Sequence, residues 1–170
     1  MNQRQCSPLL TRLVEQHYAP LYRYAYRLCG SSAEAEDLTQ QTFLAAAVKW
    51  DQLREADRAK SWLFAILRNQ YLKGIRRESA FVWDSLDDMA DSGSEEAVDS
   101  DVDSEQLQRA LDELPEEFRS PLILFYFEEF SYLEIAEQLG IALGTVMSRL
   151  SRGRAYLRRR LVRYATASAS

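Results

Sequence analysis

The sequence has little of what covalent chemistry or metal binding requires. It holds one histidine, His17, and two cysteines, Cys6 and Cys29, in 170 residues. The two cysteines give neither a metal-ligand spacing nor a disulfide framework. His17 has no catalytic or metal partner in the sequence and is expected to be an ordinary surface or half-buried helix residue. No Ser/His/Asp set, ligand cluster or phosphate-binding loop occurs, so no enzyme, cofactor or metal is expected. No apolar run reaches the length of a membrane span. The first residues, MNQRQCSPLL, lack the basic-then-apolar layout of a secretion signal. A reducing, cytoplasmic compartment without membrane insertion is the expectation. No stretch alternates with period two over strand length, which argues against a sheet.

Acid is missing from one long stretch. Between Leu143 and Tyr164 there are seven arginines and no Asp or Glu. The opposite holds upstream, where residues 84–105 carry ten acids and no base. The net charge of −5 therefore conceals two populations: without that acidic stretch, 16 acids face 21 bases, a net of +5. Such asymmetry points to nucleic-acid contact away from the acidic stretch. Residues 81–103 are too poor in large apolar groups to offset the entropy of ordering and read as a flexible linker. Two roles stay open for it: solubility, or a tethered polyanion that competes for basic surfaces.

The rest of the chain has the three- and four-residue apolar recurrence of helices. Leu9 to Cys29 repeats Leu9, Leu13, Val14, Leu21, Tyr24, Ala25 and Leu28, and Gly30 ends it. Ser32 is expected to cap a second helix running to about Trp50, with Glu34 and Glu36 in its first turn. A polar loop, 51–59, leads to a third helix over about 60–78 with Trp62, Leu63, Ile66, Leu67 and Leu72 as its stripe. Trp62 reads as a packing anchor. After the acidic stretch, a helix covers about 104–114. Pro115 opens the next at its first position, with Phe118, Leu122, Ile123, Phe125, Tyr126 and Phe127 on the core face.

The segment SYLEIAEQLGIALGTVMSRLSRGRAYLRRRLVRY then reads as helix, turn, basic helix. Ile135, Leu139, Ile141, Val146 and Leu150 supply the packing face. Ala136 is the small residue at a crossing, and Gly140 takes the turn. A basic second helix suits a DNA major groove; an ordinary helical hairpin with a solvated basic face is the plainer alternative. The fold class is all-α: two small helical domains, 9–80 and 104–164, joined by the acidic linker, the second containing the helix-turn-helix.

Three segments, in order, carry a resemblance that covers residues 9–163. They are AEAEDLTQQTFLAAAVKW, AKSWLFAILRNQYLKGIRRE and LDELPEEFRSPLILFYFEEFSYLEIAEQLGIALGTVMSRLSRGRAYLRRRL. Together they resemble bacterial RNA polymerase sigma factors of the extracytoplasmic-function (ECF) group. The resemblance implies a factor that binds core polymerase, directs it to promoters and promotes DNA opening. It implies that Asp37, Leu38, Gln40, Gln41 and Phe43 grip the clamp helices of the largest subunit, with Gln41 where the family usually has an acid. It implies −10 contacts from Leu53, Asn69, Lys73, Arg76 and Arg77, the last three at a spacing that tracks phosphates. It implies −35 duplex contacts from Thr145, Ser148, Arg149, Ser151 and Arg152. Met147 stands where the family commonly has a basic residue, and Ala142 where it often has proline or a capping residue. Arg158, Arg159, Arg160 and Arg163 face either upstream backbone, the polymerase flap or plain solvent. An anti-sigma factor is an expected partner. A stand-alone helix-turn-helix regulator and a helical protein-interaction module are the alternative classes.

Overall fold

The computed structural model describes residues 3–78 and 103–168, which are helical with short connections and fall into two compact units. The expected linker, 81–103, lies outside the described residues except for Asp103.

The first unit contains α1 (Gln3–Cys29), α2 (Ser32–Val48) and α3 (Ala59–Glu78). Gly30, at φ 72°, ends α1 in the left-handed conformation that a Cβ would penalise. The cap of α2 is Ser31, one residue earlier than expected, because its extended backbone aims the hydroxyl at the Glu34 N–H, 3.4 Å away. The helix ends at Val48, and Trp50 belongs to the first of two single-turn 3₁₀ helices, Trp50–Gln52 and Ala56–Arg58. Leu21, Tyr24, Ala25 and Leu28 of α1 are fully buried with Leu63, Phe64 and Leu67 of α3. Tyr24 and Phe64 stack with ring centroids 4.9 Å apart. Phe64, absent from the expected stripe, therefore takes the centre, while Trp62 and Leu72 are only half-buried. The Tyr71 hydroxyl donates to the Leu28 carbonyl at 2.8 Å, and the Gln70 amide donates to the Gln41 carbonyl at 3.2 Å. These two bonds tie α3 to the end of α1 and the middle of α2.

The second unit contains α4 (Ser104–Asp112), α5 (Glu116–Tyr126), α6 (Tyr132–Leu139) and α7 (Leu143–Ser168). Asp103 caps α4. Pro115 sits at the cap of α5 rather than at its first helical position: its ψ of 146° is extended, and its carbonyl accepts from the Phe118 and Arg119 N–H groups, both at 3.0 Å. Arg119 then donates back to the Leu114 and Asp112 carbonyls at 2.7 and 3.0 Å, satisfying the end of α4. Of the expected α5 core face, Phe118, Leu122 and Ile123 are buried, Phe125 and Phe127 are half-buried, and Tyr126 is exposed. Leu124 takes a core place instead. Ser131 and Glu134 form a reciprocal capping box at the start of α6. At its end Gly140 has φ 65°, the Ile141 N–H reaches the Ala136 carbonyl at 3.1 Å and the Gly140 N–H reaches Glu137 at 3.3 Å. That pairing is a Schellman stop, and it releases the chain directly into α7.

Two contacts seat α7. Gly153 packs so tightly on α5 that a Cβ there would lie 2.6 Å from Leu122 Cδ1. The close crossing thus rests on Gly153 against α5, whereas Ala136 is only half-buried. Farther along, Glu113 at the end of α4 accepts from the Tyr156 hydroxyl at 3.0 Å, the Tyr164 hydroxyl at 2.8 Å and the Arg160 guanidinium. Burial alone would raise the Glu113 pKa, but the hydrogen bonds from Tyr164, Arg160 and Tyr156 and the Arg160 charge outweigh it and hold the carboxyl below its ordinary value.

Gly153→Val is expected to destabilise the second unit by about 1–3 kcal/mol, since buried Leu122 has little room to withdraw. Gly153→Ala should cost less because alanine regains about 1 kcal/mol of helix propensity; urea unfolding measures both. A carboxyl depressed by folding stabilises above its unfolded pKa of about 4.3, and that contribution fades as pH falls through the lower, folded value. Thermal unfolding between pH 7 and pH 3 should therefore show an acid-side loss of stability that Glu113→Gln flattens.

Candidate nucleic-acid interface

In α2 the buried and exposed positions divide cleanly by helical face. Ala35, Thr39, Thr42, Phe43 and Ala46 are buried, at the three- and four-residue steps of one face. Asp37, Gln40, Gln41, Leu44 and Val48 are exposed at the same steps on the opposite face. Asp37, Gln40 and Gln41 are therefore brought together as expected, with Leu38 half-buried at their edge. Phe43 is not among them: it turns inward and stacks on Tyr18 with centroids 6.4 Å apart, so its role is to seat α2. Asp37 accepts from the Gln41 amide at 2.6 Å, which pairs it with the residue four on, not with Gln40.

Leu44 and Val48 extend this outward face and were missed by sequence reading. They are 69% and 85% exposed, high values for large apolar side chains on a helix that already buries its other side. The available signal was that the last turns of α2, FLAAAV over 43–48, are apolar all round, which a helix packed on one side alone does not need.

Asn69 and Lys73, one turn apart on α3, line a groove of about 290 Å³ with Ala45 of α2 and Lys49 at the C-terminal cap of that helix. Lys49 adds a second cation that the sequence reading did not single out. Leu53 stands apart on the loop, half-buried and outside the groove wall. The side chains of Arg76 and Arg77 lie outside the described residues. His17 is half-buried, and its pKa is lowered by burial and then by the Lys60 charge, which leaves it neutral at pH 7.

In the second unit, Val146, Leu150 and Gly153 mark the inner face of α7. At about 100° per residue, Ser148 points nearly opposite, with Ser151 and Arg152 to either side. Thr145 and Arg149 lie on the flank next to α5, both half-buried. Arg149 forms an ion pair with Glu117 of α5 at 3.5 Å. Arg154 reaches the Tyr126 hydroxyl at 3.5 Å. Arg160 is engaged by Glu113 and is a fold residue, unlike Arg158, Arg159 and Arg163, which are exposed. The seven arginines are therefore not equivalent: Glu113 at the end of α4 engages Arg160, and Glu117 of α5 pairs with Arg149. Leu143 and Met147 are exposed at the start of the same helix.

No helix among the described residues is long and apolar enough to cross a membrane, and no group of ligating side chains there could hold a metal ion.

These two faces correspond to two matched family regions. Residues 13–81 match the model for Sigma-70 region 2, and residues 104–157 match that for Sigma-70, region 4. The chain is 37% identical over 168 residues to the ECF RNA polymerase sigma factor SigE of Mycolicibacterium smegmatis, covering 95% of this chain and 65% of that protein. It is 30% identical to the ECF RNA polymerase sigma factor SigW of Bacillus subtilis, over 88% of this chain and 87% of that one. Among solved structures, the sigma factor RpoE of Bartonella quintana, in complex with the anti-sigma factor NepR, superposes with a TM-score of 0.71 at 30% identity, covering 89% of this chain and 95% of that one. The chain belongs to the ECF family of RNA polymerase sigma factors.

Proposed function

We propose that this chain binds core RNA polymerase through the outward face of α2 and reads promoters at two points, single-stranded −10 DNA with the first unit and duplex −35 DNA with the second. The observation that carries this reading is the presence of both matched regions on one chain, each with an exposed face of fitting chemistry. The factor works by binding alone, in keeping with its family.

The α2 face suits a helical protein partner. Asp37, Gln40 and Gln41 offer a charge and amide dipoles to a basic helix, and Leu44 and Val48 supply the apolar area that polar contacts alone lack. Binding to the clamp helices of the largest subunit is the proposed use. The α2–α3 groove has a different character. Asn69 both donates and accepts hydrogen bonds, and Lys49 and Lys73 place cations beside it. That combination fits an unstacked base with its flanking phosphates. On α7, exposed Ser148 is the centre of the proposed major-groove face, with half-buried Ser151 and Arg152 to either side and Thr145 and Arg149 on the flank. An anti-sigma factor is the proposed regulatory partner, as in the solved RpoE complex.

Three measurements test this. In a reconstituted run-off assay, adding the chain to core polymerase is expected to give specific starts on promoters selected from its own genome; absence of any specific start refutes the reading. Asp37→Arg should abolish association with core polymerase while circular dichroism shows unchanged helical content; retained affinity would remove the clamp assignment. Arg152→Ala should cost about 1–3 kcal/mol in promoter binding and relax −35 preference. An equal loss on every sequence would make Arg152 a phosphate contact instead.

A further inference from the structure

The start of α7 carries a feature that charge and hydrogen bonding do not explain. Leu143 and Met147 are 40% and 52% exposed, and both belong to the helix proposed to enter DNA. They stand one turn apart, so their side chains adjoin on the same flank. Val146, Leu150 and Gly153 fix the inner face, and Met147 lies about a quarter-turn from it, next to outward-pointing Ser148. Farther down the same flank come Ser151, Arg154 and Arg158, at four, seven and eleven residues from Met147. The flank is thus apolar at its N-terminal end, small and polar in the middle, and cationic beyond.

We propose that Leu143 and Met147 read thymine, by packing on its 5-methyl group in the major groove of the −35 duplex. The inference rests on the assignment of α7 to −35 DNA made above. Recognition helices meet base edges with their N-terminal turns, while residues farther along reach phosphates. The order of side chains on this flank follows that division. Among the four base-pair orientations, the apolar group presented in the major groove is the thymine methyl; every other feature there is a hydrogen-bond donor or acceptor. A methionine or leucine placed against those donors and acceptors would desolvate them without return, which penalises the wrong base. Met147 is the better reader of the two because its unbranched thioether adjusts to the groove floor. Single exposed apolar residues are common on protein surfaces. Here two adjoin, on the strongly cationic helix of the unit, so their surroundings favour a polyanion over an apolar protein surface.

The test uses holoenzyme formed from core polymerase and the full chain, on promoter duplexes whose −35 sequence has been selected from a random library. Each −35 thymine is replaced in turn by deoxyuridine, which deletes the methyl and leaves the hydrogen-bonding edge intact. The expected result is a loss of about fourfold in affinity at one or two positions, the size of one buried methyl. Met147→Ala holoenzyme should bind thymine and deoxyuridine equally at one of those positions, and Met147→Leu should keep most of the preference there. A selected −35 sequence without thymine overturns the proposal. So does a wild-type holoenzyme indifferent to deoxyuridine while Arg152→Ala still relaxes −35 preference, which would mark the pair as a protein-binding surface. If Arg152→Ala and Met147→Ala both weaken binding equally on all sequences, the −35 assignment itself fails and this inference fails with it.

Discussion

The rotation of α7 about its own axis is the constraint on which the second unit depends. A helix that must bury one face and present another has little freedom, and here the setting is made where Gly153 meets Leu122. With no Cβ at that point the Leu122 side chain lies against the α7 backbone at a distance that any larger residue would oppose. Once Gly153 is inward, Val146 and Leu150 follow by helical period, Ser148 is turned outward, and Ser151 and Arg152 lie half-buried to either side of it. The Schellman stop at Gly140 fixes the other end, so that the first turn of α7 begins at a defined angle to α6. Presentation of the proposed reading residues is thus a consequence of packing on the opposite side of the same helix, one to two turns away.

Charge is distributed by the same packing. Seven arginines on one helix would repel one another and offer an undirected attraction to any polyanion. Glu113, with Tyr156 and Tyr164, engages Arg160, and Glu117 pairs with Arg149 at 3.5 Å. The Glu113 contact is the stronger organiser, because three donors from α7 converge on one carboxylate whose pKa is lowered as a result. The Arg149 pair is longer and its acid is more exposed, so it orients a side chain at small cost and leaves it available to exchange partners. The helix therefore has a fixed cation toward its far end and an exchangeable one near its start.

Much of this was legible in the sequence, and the failures share a cause. The number of helices among the described residues and the turn at Gly140 follow from periodicity and from glycine, which are local signals. The caps moved by one residue, from Ser32 to Ser31 and for Pro115 from first turn to cap, because cap geometry depends on backbone angles that composition leaves open. Phe43 and Tyr126 exchanged their expected sides: a motif places a residue on a helix, but tertiary contact decides which way it turns. Arg160 was indistinguishable from its neighbours Arg158 and Arg159 until α4 came alongside, 47 residues away in sequence. Leu44 and Val48 were missed for the opposite reason, since apolar residues on a helix are read as core by default.

Under the proposed function the two units compensate for each other's weaknesses. Holding Arg160 in the fold, and having an uncharged Met147 in the second turn, lowers the charge that α7 offers to DNA. A loss of phosphate contacts weakens binding to all sequences alike, and also lowers its sensitivity to salt. Specific contacts lose nothing in the exchange, so the ratio of specific to non-specific binding rises as the total falls. A stand-alone regulator would suffer from that fall. A chain whose other half engages polymerase and the −10 strand does not, because the second contact then forms at an effective concentration set by the connection, not by the solution. On this argument, modest affinity in α7 is the condition for discrimination: a reader tethered at a second point gains more from rejecting wrong duplexes than from gripping any duplex hard.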